Sequence, residues 1–227
     1  MNTQREQLIQ TWITSVLGSD QFETHFLAGD ASFRRYARIK LNNKTFMLMD
    51  APPEKEDCVP FVTIDEFFDT NGVRVPHIVA KDLEQGFLLL EDFGDVLLST
   101  QLDDKTVDAH YEQSFKQLIQ LQSIDGEGHF PAYSYEKLMT EMSLLTDWLL
   151  PSLQIQPSDD ESALIKRTFA ILANAALAQP QVIVHRDFHS RNLMLLVDEQ
   201  EQGVIDFQDA VIGADTYDLI SITRDAY

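Results

Sequence analysis

The stretch of sequence that decides the fold is residues 185–192, which read His-Arg-Asp-Phe-His-Ser-Arg-Asn. Short apolar runs lie on both sides of it, at residues 182–184 and 193–197. Runs of this length and composition predict strands, and residues 203–205 predict a further one. The stretch is therefore expected to be a polar loop between two strands.

Three side chains in this region have oxygen atoms suited to phosphoryl chemistry. Asp187 and Asn192 lie five residues apart on the loop, so a tight turn can direct a carboxylate and an amide to one place. Asp206 follows the next predicted strand, where its carboxylate can meet Asn192 at a shared ion. Transfer of a phosphoryl group needs a carboxylate that orients an acceptor hydroxyl and oxygen ligands that hold magnesium. The sequence supplies such a set.

The first 90 residues or so predict a small strand-rich lobe. Apolar residues at helical spacing predict a helix over about residues 3–18. Two strands joined by a turn at residues 42–43 follow, then a helix that ends at Gly72, and then two short strands near residues 76–80 and 86–90.

The rest of the chain predicts a mainly helical lobe. Apolar spacing indicates helices from about residue 103, over about 134–150 and over about 159–178. The boundary is expected at residues 91–94, which divides the chain into residues 1–92 and 93–227. The expected fold class is α+β.

Composition excludes several classes of function. The 227 residues carry a formal net charge of −20, which argues against binding to nucleic acid or anionic lipid. A bound nucleotide stays compatible with this charge, because a metal and a few oriented donors can hold a triphosphate locally. The single cysteine, Cys58, permits no internal disulfide. No apolar run is long enough for a membrane span or a secretory signal, and a cytoplasmic location is expected.

The spacing His-x-Asp-x-x-x-x-Asn, followed by a short hairpin and an aspartate, resembles the kinase-like aminoglycoside phosphotransferase family. The matching positions are His185, Asp187, Asn192 and Asp206. The resemblance implies a bilobal protein-kinase-like fold and dependence on ATP and Mg²⁺. It also implies that Asp187 is the catalytic base, that Asn192 and Asp206 are magnesium ligands, and that His185 supports the loop.

Two further segments match nucleotide-binding parts of that family. Residues 29–36 lie where the family folds a loop over the phosphates, which implies contacts from Ala31, Ser32, Phe33 and Arg34. An ordinary hairpin turn is the alternative interpretation of these residues. Residues 91–93 lie at the expected hinge, where main-chain groups of Glu91 and the ring of Phe93 would meet the adenine.

One position departs from the family pattern. Residues 46–50 read Phe-Met-Leu-Met-Asp, with methionine where most relatives have a lysine that pairs with phosphate. Either another cation, such as Lys55, Arg34 or Arg35, replaces that lysine, or the protein has lost catalysis and only binds. Because Asp187, Asn192 and Asp206 are all present, replacement by another cation is favoured.

Four segments, residues 29–36, 49–57, 83–90 and 203–210, are similar to one subgroup of the family. This subgroup consists of bacterial kinases that phosphorylate the anomeric hydroxyl of N-acetylmuramate or N-acetylglucosamine in cell-wall recycling. The resemblance implies an amino-sugar substrate and a 1-phosphate product. The alternatives are an aminoglycoside kinase, which the acidic charge favours mildly, and a nucleotide-binding pseudokinase or interaction module.

The helical lobe is expected to be incomplete. The chain stops at Tyr227 within an apolar helical pattern, whereas the resembling family continues with helices that wall the acceptor pocket. Weak sugar binding by this chain is therefore expected. The oligomeric state and the acceptor contacts stay open.

Overall fold

The structure, a computed structural model, describes residues 3–28, 33–196 and 201–225. The chain divides into two compact units. The first consists of Met1–Thr106 with Arg191–Gln208, and the second of Val107–Ser190 with Asp209–Tyr227. The segment that follows residue 190 therefore belongs to the first unit. The expected division into domains at residue 92 stays a prediction.

The first unit is built on a five-stranded antiparallel sheet. Its strands are β1 (Glu23–Phe26), β2 (Arg35–Leu41), β3 (Lys44–Asp50), β4 (Ile78–Asp82) and β5 (Phe87–Glu91). They lie in the order β1-β2-β3-β5-β4 across the sheet. The helix α1 (Thr3–Leu17) precedes the sheet, and α2 (Val59–Thr70) follows β3.

Helix α1 packs against one face of this sheet. Its apolar stripe recurs at the spacing of a helix face, and Ile9, Trp12 and Ile13 are buried there. Their partners on the sheet include Ala37 and Ile39 of β2, which alternate with residues that point to the opposite face. The face of the sheet away from α1 is therefore left for other contacts.

Two shorter elements complete the first unit. A 3₁₀ turn (Leu98–Thr100) follows the sheet, and the strands β7 (Leu193–Leu196) and β8 (Glu201–Val204) pair as an antiparallel hairpin. Hydrogen bonds attach this hairpin to the rest of the unit. The Leu195 N–H donates to the carbonyl of Val96 at 2.8 Å, and the Val204 N–H donates to that of Arg74 at 2.7 Å.

The second unit is mainly helical. Its helices are α3 (Val107–Gln122), α4 (Tyr135–Leu144), the short α5 (Leu150–Ser152), α6 (Asp159–Leu177) and α7 (Thr216–Arg224). Two strands, β6 (Gln181–Val184) and β9 (Val211–Ala214), pair antiparallel. None of the helices in the described part of the chain is long and apolar enough to cross a membrane.

The α+β class predicted from the sequence is confirmed, with differences in detail. The helix predicted over 134–150 is α4 followed by a π-helical turn at Leu145–Leu149. The strands β1 and β9 are additional to the prediction. In β1 three of the four residues are exposed. The sequence there therefore lacks the alternation of apolar and polar residues by which a half-buried strand is recognised.

Helix α2 buries a carboxyl group with an unsatisfied oxygen atom. Asp65 is 1% exposed, and within the described residues its Oδ2 atom has no hydrogen-bond partner. Burial, together with the neighbouring Asp69 and Glu66, raises the pKa of Asp65 to about 8, while Lys81 of β4 acts in the opposite direction. The group is therefore protonated in the folded protein at neutral pH.

We expect Asp65→Asn to remove a pH dependence of stability. The folded-state pKa lies above the unfolded value, so the folded state holds the extra proton and the free energy of unfolding falls as pH rises from about 4 to about 8. Asn cannot ionise, so the variant should be more stable than the wild type at pH 8 by about 1–3 kcal/mol, and by less at pH 5. Urea unfolding at both pH values measures this difference.

The matched control is Glu84→Gln, which removes one carboxylate from the exposed turn between β4 and β5. It should leave the pH dependence of unfolding as it is in the wild type. An Asp65→Asn protein whose stability relative to the wild type is the same at pH 5 and pH 8 would contradict the assignment.

Candidate active site

A cavity of about 370 Å³ lies within the first unit, on the side of the sheet away from α1. Its volume is in the range of ordinary small-ligand sites. The lining comes from the sheet, from the segment after β5 and from the β7–β8 hairpin; it includes Tyr36, Met47, Leu90, Phe93, Asn192 and Asp206. The cavity is thus apolar on the sheet side and polar at the hairpin.

Asn192 and Asp206 are brought together by the pairing of β7 with β8. The Ile205 N–H donates to the Asn192 carbonyl at 3.0 Å, which aligns the residues just outside the two strands. The Asn192 Nδ2 atom lies 3.4 Å from Asp206 Oδ2, a long hydrogen bond, and Gln208 Nε2 donates to Oδ1 at 3.0 Å. An amide and a carboxylate therefore face each other at the cavity wall; their role as magnesium ligands stays a prediction.

The backbone at Asp206 adopts an unusual conformation. Its φ angle is +65°, in the left-handed region that residues with a side chain seldom occupy. Behind it, the ring of Phe207 is buried against Phe61 and Phe68 of α2, with ring centroids 5.0 and 5.8 Å apart. This packing holds the strained residue in place, and such strain is found preferentially at functional sites.

The donor set suits Mg²⁺. A carboxylate and an amide oxygen are hard ligands of the kind Mg²⁺ takes, and Mg²⁺ usually keeps water and phosphate oxygens as its other ligands. In the part of the chain that the structure describes, no group of three or more His, Cys, Asp and Glu side chains could hold a metal by itself. Asn192 and Asp206 thus fit a metal that arrives with phosphate, not a closed protein site.

The expected hinge residues both line the cavity. The Phe93 ring lies under the guanidinium of Arg74, 4.7 Å from its carbon to the ring centroid. Arg74 also donates two hydrogen bonds to the Glu91 carboxylate, at 2.7 and 2.6 Å, and this pairing lowers the pKa of Glu91. The Glu91 N–H donates to the His77 carbonyl at 2.8 Å, so this N–H is already engaged inside the protein.

Arg38 fixes the segment that follows the hinge. Its guanidinium binds both carboxylate oxygens of Asp92, at 2.6 and 3.0 Å, and both of Asp95, at 2.8 Å each. It also donates to the Gly94 carbonyl at 3.1 Å. Arg38 was not singled out in the sequence, because its partners are more than 50 residues away and no local pattern marks them.

The loop predicted to cover the phosphates is described only in part. Ala31 and Ser32 lie outside the described residues. Phe33 is 60% exposed, with the Lys55 ammonium 5.2 Å from its ring centroid. Arg34 is bound to Glu56 through an ion pair of 2.8 Å.

Asp187 belongs to the second unit, five residues before Asn192 in the chain. Its side chain is exposed, and its N–H donates to Nδ1 of the fully buried His185 at 3.3 Å. Arg186, between them, has a φ of +81°. The loop thus carries an exposed carboxylate at Asp187, while the backbone of the same residue is hydrogen-bonded to the buried ring of His185.

The support of that loop comes from Asp218, at the start of α7. Its Oδ2 accepts from the His185 N–H at 2.6 Å and its Oδ1 from the Arg186 N–H at 3.0 Å. Burial raises the pKa of Asp218 to about 7, although the two N–H groups act in the opposite direction. These contacts give Asp218 a structural role in holding the loop.

Arg186 has a second anchor that the sequence did not reveal. Its Nη2 donates to Glu141 of α4 at 2.6 Å, and its guanidinium lies 5.5 Å from the ring centroid of Tyr133. The Tyr133 hydroxyl donates to the same Glu141 carboxylate. Glu141 is 45 residues from Arg186, so sequence spacing gave no signal for this pair.

Solved structures of known proteins resemble this chain in fold. The chain has the fold of kinase-like phosphotransferases: it superposes on aminoglycoside-3'-phosphotransferase of type VIII with a TM-score of 0.61 at 14% identity, over 95% of this chain and 83% of that one. It superposes on a choline/ethanolamine kinase family protein from Mesorhizobium loti with a TM-score of 0.63 at 11% identity, over 96% and 70%. These similarities confirm the predicted fold.

Residues 23–227 match the model of the family described as "Phosphotransferase enzyme family", and the chain belongs to that family. It is 42% identical over 201 residues to the N-acetylmuramate/N-acetylglucosamine kinase of Pseudomonas aeruginosa, covering 88% of this chain and 59% of that protein. It is 35% identical over 230 residues to the protein of the same name from Neisseria meningitidis, covering 99% and 68%. The chain thus spans about three fifths of the length of the Pseudomonas relative.

We expect Asp218→Asn to destabilise the second unit. Asn offers one acceptor oxygen, so its amide NH₂ would face one of the two backbone N–H groups that the carboxylate now binds. The expected loss is roughly 1–3 kcal/mol of unfolding free energy, measured by chemical denaturation. The control Asp215→Asn changes the same charge three residues earlier, and it should be close to neutral; an equal loss in both variants would show that the buried acceptor is not the cause.

We also expect Gly203→Ala in β8 to displace the Phe93 ring. A Cβ atom at this position would lie 2.2 Å from Phe93 Cε2, far inside van der Waals contact. The resulting overlap should cost about 1–3 kcal/mol of stability. In a Phe93→Ala background the ring is gone, and the same substitution should cost much less. Urea unfolding of the four proteins measures this coupling, and identical costs in the two backgrounds would refute the contact.

Proposed function

We propose that the chain carries the nucleotide-binding and catalytic segments of an ATP- and Mg²⁺-dependent kinase that acts on an amino sugar. The acceptor is the anomeric hydroxyl of N-acetylmuramate or N-acetylglucosamine, and the products are the sugar 1-phosphate and ADP. The single observation that carries this proposal is the facing pair of Asn192 and Asp206 on the wall of a ligand-sized cavity. Relatives that bear this kinase name support the choice of acceptor.

The cavity of the first unit is the proposed nucleotide site. Phe93, Leu90 and Met47 would contact the adenine, with polar contacts from main-chain groups near Glu91. The segment Ala31, Ser32, Phe33 and Arg34 would approach the phosphates. Asn192 and Asp206 would hold Mg²⁺, which neutralises charge on the phosphates when bound.

Asp187 is the proposed general base. Its exposed carboxylate would accept the proton of the sugar C1 hydroxyl as that oxygen forms a bond to the γ-phosphorus and ADP leaves. An anomeric hydroxyl is more acidic than an ordinary alcohol, so a carboxylate is an adequate base for it. The support from His185 and Asp218 would keep the loop backbone in one conformation.

The setting of the proposed reaction is the cytoplasm, where ATP is available. Cys58 is buried and free, which fits a reducing compartment. The net charge of −20 argues against nucleic acid as a partner.

Two alternatives share the same cavity. An aminoglycoside kinase is favoured by the acidic charge, which would attract a polycationic acceptor. A pseudokinase would bind nucleotide without transferring phosphate. The acceptor requirement of the reaction separates the three.

The test is Mg²⁺-dependent release of ADP from ATP with N-acetylmuramate, N-acetylglucosamine and a panel of aminoglycosides. We expect release with the amino sugars, and we expect Asp187→Asn to lower kcat by at least about 100-fold while nucleotide binding persists. The control Asp108→Asn changes an exposed carboxylate at the start of α3 and should keep wild-type activity. An Asp187→Asn protein of full activity would refute the base, and release with aminoglycosides alone would identify the other kinase.

A further inference from the structure

Protein kinases pair a lysine of the third strand with a glutamate on the following helix, and the lysine contacts the nucleotide phosphates. The corresponding elements here offer no such pair at the cavity. Lys44 at the start of β3 and Glu66 of α2 are both exposed. On β3 the cavity side carries Met47, which lines the cavity, and Met49, which is fully buried. A phosphate-binding cation must come from elsewhere if the proposed function holds, and three were open from the sequence: Arg34, Arg35 and Lys55.

Arg35 is directed to the wrong face of the sheet. Residues of a strand alternate between its faces, and Arg35 lies on the same face as Ala37 and Ile39, which pack on α1. Its guanidinium binds the fully buried carboxylate of Asp50 through Nε at 2.9 Å. Arg5 of α1 binds the other oxygen of Asp50. Arg35 therefore neutralises a buried charge away from the cavity.

Lys55 lies on the surface. It is exposed, and its ammonium is 5.2 Å from the ring centroid of Phe33, which is itself exposed. Neither residue is part of the cavity lining. A solvated ammonium at this place gains little from binding phosphate that water does not already provide.

Arg34 is not itself a lining residue, but it contacts two residues that line the cavity. Its side chain is only 11% exposed, and its guanidinium carbon is 5.8 Å from the ring centroid of Phe61, a lining residue. It also hydrogen-bonds the hydroxyl of Tyr36, another lining residue; burial raises the pKa of this hydroxyl, and the interaction with Arg34 acts against the rise. The carboxylate of Asp206 is close enough to act on the same hydroxyl in the opposite direction. Arg34 thus shares a neighbour with the proposed magnesium ligand.

Glu56 fixes the direction of Arg34. Its Oε1 accepts from Arg34 Nη2 at 2.8 Å, and its side chain is 24% exposed, so water screens the pair only in part. The Phe61 ring, 5.8 Å from the guanidinium carbon, adds a cation–π contact. The long side chain is therefore already ordered before any ligand arrives, which lowers the entropic cost of binding.

We propose that Arg34 supplies the positive charge that binds the nucleotide phosphates, and that Glu56 is the positioning residue that holds it. The Arg34–Glu56 pair replaces the lysine–glutamate pair of protein kinases, with the cation moved from β3 to the residue just before β2. This inference rests on the proposed nucleotide site.

The test compares ligands that differ only in phosphate. We expect Arg34→Gln to weaken the binding of ATP, measured by calorimetry, by roughly tenfold or more, since a charge-assisted contact is lost. The binding of adenosine should stay within about twofold of the wild type. The matched control Lys55→Gln removes the same charge and should change neither affinity. Unfolding midpoints of the variants establish that each is folded.

The role of Glu56 is tested by substituting it both in the wild type and in an Arg34→Gln background. Glu56→Gln should raise the KM for ATP with a smaller change in kcat, and it should have no further effect in an Arg34→Gln background. Arg34→Lys should restore part of the ATP affinity, because the charge returns without the planar fork. If the Arg34–Glu56 pair had only a structural role, Arg34→Gln and Glu56→Gln would lower the free energy of unfolding. The preference for ATP over adenosine would stay unchanged.

The outcomes separate this inference from the function on which it rests. If wild-type protein binds neither ATP nor adenosine, the proposed nucleotide site is wrong. If wild type binds ATP and Arg34→Gln binds it equally well, only the role of Arg34 is overturned. An equal loss of ATP and adenosine, or a loss in Lys55→Gln alone, also overturns it.

Discussion

The buried carboxylate of Asp218 is the interaction on which the proposed catalytic loop depends. It accepts hydrogen bonds from the backbone N–H groups of His185 and Arg186. Without it, these two donors would be left unsatisfied in the interior. Burying a charge is costly without such partners, and the two donors compensate for part of that cost. The loop that ends in Asp187 is thereby fixed by backbone contacts, independently of the side chains that would perform the chemistry.

Each unit places a non-glycine residue with positive φ next to the side chains proposed to function there. Arg186, at +81°, precedes Asp187, and Asp206, at +65°, faces Asn192. A conformation of this kind costs of order 1–3 kcal/mol and persists only where the surroundings over-determine it. The surroundings are present in both cases: Glu141 and Asp218 hold Arg186, and the ring of Phe207 on α2 holds the backbone after Asp206.

The parts that were predictable from sequence are those with local periodicity or fixed spacing. The stripe of α1, the hairpin of β2 and β3, and the pairing of Asn192 with Asp206 all follow from residues within about 15 positions of each other. The contacts that direct individual side chains could not be predicted from nearby residues in this way. Arg38 meets Asp92 across 54 residues, and Arg186 meets Glu141 across 45, and a charged residue carries no sign of which distant carboxylate it will bind. The choice among Arg34, Arg35 and Lys55 likewise needed strand register, because adjacent positions on a strand point to opposite faces.

The acidic charge of the chain gives a reason for a divalent ion at the proposed site. Three arginines near the cavity are held by carboxylates, in the pairs Arg34–Glu56, Arg38–Asp92 and Arg74–Glu91. Pairing orders the guanidinium groups but cancels most of their field, in a chain whose net charge is already −20. A triphosphate brings several further negative charges into this environment. One arginine offsets part of them, and the carboxylate of Asp206 adds to the excess unless a cation lies between it and the phosphates. The same electrostatic requirement therefore accounts for Asp206 as the proposed acidic ligand and for the ordered Arg34 next to the lining residues Tyr36 and Phe61.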